Sequence, residues 1–199
     1  MGNRAWKHLV IASTLAAALW AAGSSKAEEK AQPRAFNSAV AFDVYAVIRE
    51  EHRLVGSTPS ERPLTLPPCQ WWYVEPLRPV DMEKVRQEGE AHGVPGLKLR
   101  DATDADLEHL KGLTALRQLD LGWGTRVTDA GLEHLKGLTG LQYLSLSGTQ
   151  VTDAGLEHLK ALTALRWLGV SGTQVTDTGT EQLKKSLPNV SATVVSHAR

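Results

Sequence analysis

From Val94 onward the leucines fall into two alternating periods. In Leu141-x-x-Leu144-x-Leu146 the last two leucines alternate with Tyr143, Ser145 and Ser147, which is the period of a strand with one buried face. In Leu156-x-x-Leu159-x-x-Leu162 the apolar positions recur every third residue and form a narrow helical stripe. Thr152 and Asp153 precede that stripe, residue types that accept hydrogen bonds from the free N–H groups of a helix start. Gly148 follows the strand and supplies a turn. The unit therefore reads strand, turn, helix and return loop. Residues 127–150 and 151–174 repeat it, agreeing at 18 of 24 positions without a gap. Residues 102–126 are a third copy with one extra residue, inserted at Gly122-Trp123-Gly124, and a degenerate fourth begins at Val175. Upstream, Val80 and Val94 keep the 14-residue interval of Val127 to Leu141, and the segment between them has helical composition, as expected of a capping half-repeat.

The chain resembles leucine-rich repeat proteins. Their pattern L-x-x-L-x-L-x-x-N/C-x-L is met by Leu141, Leu144, Leu146, Thr149 and Val151, and again by Leu165, Leu168, Val170, Thr173 and Val175. Thr149 and Thr173 stand where Asn or Cys is usual, and their hydroxyls can still donate to a loop carbonyl. With VTDAGL opening the helix, the form is similar to a bacterial variant of the cysteine-containing repeats of F-box proteins. The resemblance covers residues 94 to about 195 and implies an α/β fold: a short solenoid with a parallel sheet on its concave face and helices on its convex face. A single repeat cannot bury its leucines alone, so an array this short requires caps.

The segment upstream is the source expected for one cap. NSAVAFDVYAVIREEHRLV is rich in β-branched and aromatic residues, a Pro-rich stretch follows, and CQWWYVEPL brings two tryptophans and a tyrosine that call for burial against the first repeat. The expected division is residues 1–27 as a signal peptide, 28–93 as linker and N-terminal capping region, and 94–199 as the repeat domain. The first assignment rests on Arg4 and Lys7 before an apolar run, with the small-residue exit Ser25-Lys26-Ala27. It implies an exported protein, periplasmic or secreted, with no membrane span after cleavage.

Charge adds an exclusion. Without residues 1–27 the chain carries 19 basic and 22 acidic side chains, so nothing points to a nucleic-acid surface. Candidate chemistry is sparse. His109, His134 and His158 recur beside Glu108, Glu133 and Glu157, but they lie between buried leucines on the convex side, with no converging third ligand type. Asp104, Asp129, Asp153 and Asp177 stand at helix starts, where free N–H groups and the helix dipole stabilise a carboxylate. Cys69, the single cysteine, reads as a buried hydrophobe. No metal, cofactor or catalytic residue is expected, and the chain reads as a non-enzyme.

The six differences between the two best copies locate a surface. Three of them, Gln142 against Arg166, Tyr143 against Trp167 and Ser145 against Gly169, fall on the strand. In register, the concave sheet is expected to carry Lys98 and Arg100, then Gln118 and Asp120, then Tyr143 and Ser145, then Trp167. Trp123 is placed at the sheet edge, and Arg117 and Arg166 are placed to flank the aromatic rings. Exposed Tyr, Trp and Arg among small neighbours have the composition of an interface hot spot. The expected partner is another protein, or a peptide or cell-surface polymer. An envelope scaffold contacted through the N-terminal cap is the alternative.

Overall fold

A computed structural model describes residues 34–38, 40–48, 51–59, 63–67, 69, 71–77 and 81–193. The expected signal peptide and Val80 lie outside the described residues. The chain runs β1 (Arg34–Phe36), β2 (Phe42–Ile48), β3 (Glu51–Ser57), β4 (Leu64–Leu66), β5 (Trp71–Pro76), α1 (Met82–His92), β6 (Gly96–Lys98), α2 (Asp104–Glu108) and β7 (Gln118–Asp120). It continues through α3 (Asp129–Leu132), extended by a 3-10 turn at Glu133–Leu135, then β8 (Tyr143–Ser145), α4 (Asp153–Leu159), β9 (Trp167–Gly169), α5 (Asp177–Ser186) and β10 (Ser191–Thr193).

Eight strands form one sheet in the order β10-β9-β8-β7-β6-β5-β2-β3. Pairing is parallel from β5 to β10 and antiparallel where β2 meets β5 and β3. β1 and β4 make a separate antiparallel pair. The repeat register is in phase: Leu119, Leu144 and Leu168 are direct partners across β7, β8 and β9, and none of them is exposed. Helices of four to ten residues are too short to persist alone. They hold because Leu107, Leu132, Leu156 and Leu183 are buried against the strands.

The capping segment does more than pack against the first repeat. It extends the same sheet, through parallel pairing of β5 with β6, and its Phe42, Val44, Trp72 and Val74 share one core with the repeat leucines. Trp71, Trp72 and Tyr73 divide as a strand requires: Trp72 joins the core, while its two neighbours face the other way. α1 and β6 stand before the first full repeat, with Gly96 opposite Gln118 and Val94 buried in the place of Leu116.

Side-chain bonds between repeats correct one expectation. The helix N-caps are the threonines: Thr128 and Thr152 accept from the amides of Ala130 and Ala154, and Thr176 accepts from that of Gly179. The aspartates reach forward instead. Asp104 accepts the Thr128 amide at 2.8 Å and its hydroxyl at 2.6 Å, and Asp129 does the same for Thr152. Asp153 repeats the pattern on Thr176, at 2.7 Å for both bonds. Each carboxylate lies against a glycine of the next helix (Gly131, Gly155 and Gly179 in turn), in the space a side chain there would fill. The first repeat follows α1, which opens on Met82 instead of an aspartate. Its residue at the glycine position is Asp106, whose Oδ2 accepts the Thr103 amide at 2.8 Å and hydroxyl at 2.9 Å, so the same two bonds are made from within.

The threonines that replace Asn or Cys act as expected. Thr125, Thr149 and Thr173 donate their hydroxyls to the carbonyls of Leu121, Leu146 and Val170, at 2.5, 2.6 and 2.6 Å.

Candidate interaction face

The sheet face turned away from the helices is built by simple alternation. With Leu97, Leu119, Leu144 and Leu168 committed to the core, their strand neighbours must face outward. The pairing then sets two rows. One row runs Gly96, Gln118, Tyr143, Trp167 and the other Lys98, Asp120, Ser145, Gly169. Because Val74 pairs with Leu97, Tyr73 and Glu75 of β5 continue these rows, followed by Tyr45 and Asp43 of β2.

Two stacked aromatic pairs stand on this face. Tyr143 and Trp167 have ring centroids 4.2 Å apart and planes inclined by 7°. Tyr45 and Tyr73 have centroids 4.9 Å apart, inclined by 9°. His52 of β3 sets its ring edge-on to both Trp71 and Tyr73, and its Nδ1 lies 3.2 Å from the Tyr73 hydroxyl. Stacked or edge-on pairs add about 0.5–1.5 kcal/mol beyond burial, so the rings hold each other upright before any partner arrives.

Charges occupy the middle of the face. Glu75, only 8% exposed, is held by the guanidinium of Arg100. Asp120 accepts the Gly122 amide at 2.9 Å through one oxygen. Burial, with Asp120 as the second cause, pushes the Tyr143 phenol up. Tyr73 is raised by burial and by its neighbours Tyr45, Glu75 and Asp120, against a smaller opposing effect of Arg100. Burial lowers the pKa of His52, Lys98 lowers it further, and Asp120 opposes both. At neutral pH the face therefore offers neutral phenols, a neutral imidazole and fixed charges set close to rings.

The expected site residues distribute as follows. Lys98, Gln118, Asp120, Tyr143, Ser145 and Trp167 sit on their strands, and Ser145 is nearly buried at 8% exposure. Arg100 lies just beyond the end of β6 and holds Glu75 on the same face. Arg117 does not flank the rings: its Nη1 donates to the carbonyls of Thr114 and Leu116, and the guanidinium covers Gly140 in the return loop. Arg166 is exposed immediately before β9. Trp123 lies beyond the end of β7, an interior strand, against Gly148 and Gly172, and is 48% exposed. Sequence reasoning missed Tyr45 and His52. The signal for Tyr45 was present in the alternation of Phe42 and Val44 with Asp43 and Tyr45, but the strand pairing was not readable.

Among the described residues no group of three or more His, Cys, Asp or Glu is placed to hold a metal ion, and no helix is long and apolar enough to cross a membrane. On the convex side His109 Nδ1 is 3.4 Å from Glu83 Oε2.

Residues 138–160 match the family model described as Leucine Rich repeat. The fold is a leucine-rich repeat solenoid. No curated protein matches the chain. Among solved structures, internalin C2 from Listeria monocytogenes is 24% identical with a TM-score of 0.42, covering 59% of this chain and 50% of its own. A leucine-rich repeat protein from Leptospira interrogans is 16% identical with a TM-score of 0.36, over 56% of this chain and 33% of its own. The internalin InlF from Listeria monocytogenes is 15% identical with a TM-score of 0.32, over 58% and 46%. The chain spans half or less of the length of each.

Proposed function

We propose that this leucine-rich repeat chain is a non-enzymatic protein-interaction module, exported from the cytoplasm, that takes its partner on the open face of the sheet. The observation that carries the reading is the Tyr143–Trp167 stack, two half-buried rings fixed against each other at 4.2 Å in mid-sheet. Pre-ordered aromatic side chains lose little entropy on binding and serve as anchors. The cap belongs to the same surface, since Tyr45 and Trp71, packed against the buried Tyr73 ring, extend the face across β5 and β2. That continuity favours one shared face over an envelope scaffold contacted through the cap alone.

Substitution on the two faces tests this. Trp167→Ala is expected to weaken binding of the native partner, measured by titration calorimetry with the full chain, by at least about thirtyfold, since truncating an anchor commonly costs about 2 kcal/mol. Glu157→Ala, on the exposed side of α4, is expected to leave affinity within about twofold, as exposed substitutions away from an interface do. Equal loss from both, or from neither, would place the binding surface elsewhere.

A further inference from the structure

Trp123, expected among the partner-binding residues, is not part of the Tyr143–Trp167 stack. It is the residue that the first repeat inserts between Gly122 and Gly124; its backbone is held at φ +33°, and its side chain is 48% exposed. The next two repeats make the corresponding turn through Ser147-Gly148 and Ser171-Gly172 without an insertion. The turn itself therefore does not need a tryptophan. A bulky residue at positive φ is strained, and such strain is often kept at sites that use it.

The indole lies on a floor of backbone. A Cβ placed on Gly148 would stand 2.5 Å from Cε3 of the ring, and one on Gly172 would stand 3.2 Å from Cη2, so only glycine lets the ring settle there. Trp123 donates its amide to the Ser147 carbonyl at 2.7 Å, which fixes the platform to the neighbouring repeat. Half of the side chain stays open. Oxygen atoms lie beside the two glycines that flank it: Asp101 beside Gly124, Asp120 bonded to the Gly122 amide, and the Ser145 hydroxyl 3.0 Å from where a Gly122 Cβ would stand.

We propose that Trp123 is a stacking platform for the apolar face of a neutral saccharide ring. A pyranose presents C–H bonds on one face and hydroxyls around its perimeter; the electron-rich face of an indole suits the first, and carboxylate and serine oxygens accept from the second. Asp101 and Asp120 oppose a phosphorylated or nucleic ligand by like charge. This site goes beyond the protein-binding reading; the two share Asp120 and Ser145, and their separate tryptophans distinguish them in the test.

The test is titration calorimetry of the full chain with cellotetraose and with chitotetraose. Saturable binding of at least one is expected, weakened at least about tenfold in Trp123→Gly, which relaxes the strained backbone while removing the platform. Trp123→Phe, which keeps a smaller ring, should fall between the two, and Trp167→Ala should bind within about twofold of the parent. Absence of saturable binding of both sugars up to about 10 mM overturns the proposal. So does undiminished binding by Trp123→Gly, or a loss that follows Trp167 instead.

Discussion

Gly155 shows how far a single residue can be misjudged from local rules. In a helix interior alanine is favoured over glycine by about 1 kcal/mol, so Gly155→Ala should stabilise α4 if only propensity mattered. The Asp129 carboxylate occupies the space that the new methyl would need. The methyl must displace it from the Thr152 amide and hydroxyl, two charge-assisted bonds, and the expected net result is a loss of about 1–3 kcal/mol. Gly137 has nothing within 4 Å of its missing Cβ, so Gly137→Ala should change stability by less than about 0.5 kcal/mol. Urea unfolding of both variants decides the matter, and equal losses would remove the interlock from the account. The sequence showed that glycine recurs at this position in VTDAGL. It could not show why, because the group that excludes a side chain lies 26 residues upstream in the previous repeat.

At the scale of the element, strands and helices of the repeats were legible because each carries its own period and its own turn. The β2–β3–β5 arrangement was not, since which face of NSAVAFDVYAVIREEHRLV meets Trp71–Pro76 depends on antiparallel pairing between distant segments. Arg117 was misplaced for a related reason: a long side chain goes to the nearest acceptors, here loop carbonyls, and chain position alone does not reveal those. The start of the array yields a prediction of its own. Asp106 supplies α2 with the bonds that an upstream repeat would otherwise provide, so Asp106→Ala should cost about 1–2 kcal/mol, the range of a lost helix cap. Asp177 grips no later repeat among the described residues, and Asp177→Ala should stay within about 0.5 kcal/mol. Thermal or urea melts will compare them; a larger effect at Asp177 would reverse the proposed direction of the interlock.

For the whole molecule, the continuous core sets the limit on what can be cut. Phe42 and Val74 of the cap line one small apolar space together with Val94, Leu97, Leu113 and Leu116 of the repeats. A fragment of residues 94–199 would bare those side chains and turn β6 into an unprotected edge strand. Neighbour contacts supply most of the stability of each repeat, so the fragment is expected to lose cooperative unfolding in far-ultraviolet circular dichroism, whereas residues 28–199 should keep it. A cooperative melt from the short fragment would show that the cap is dispensable to the fold. The forward reach of the aspartates has a different consequence, for how such a chain changes length over generations. A unit that carries both the hook for its successor and the socket for its predecessor can be copied in tandem, because a duplicate of residues 127–150 arrives with matching parts at each junction. A duplicate of residues 102–126 would bring Asp106 into the socket where Asp104 of the preceding copy must fit. Growth is thereby directed to the middle of the array, and the two near-identical copies stand where that rule would leave them.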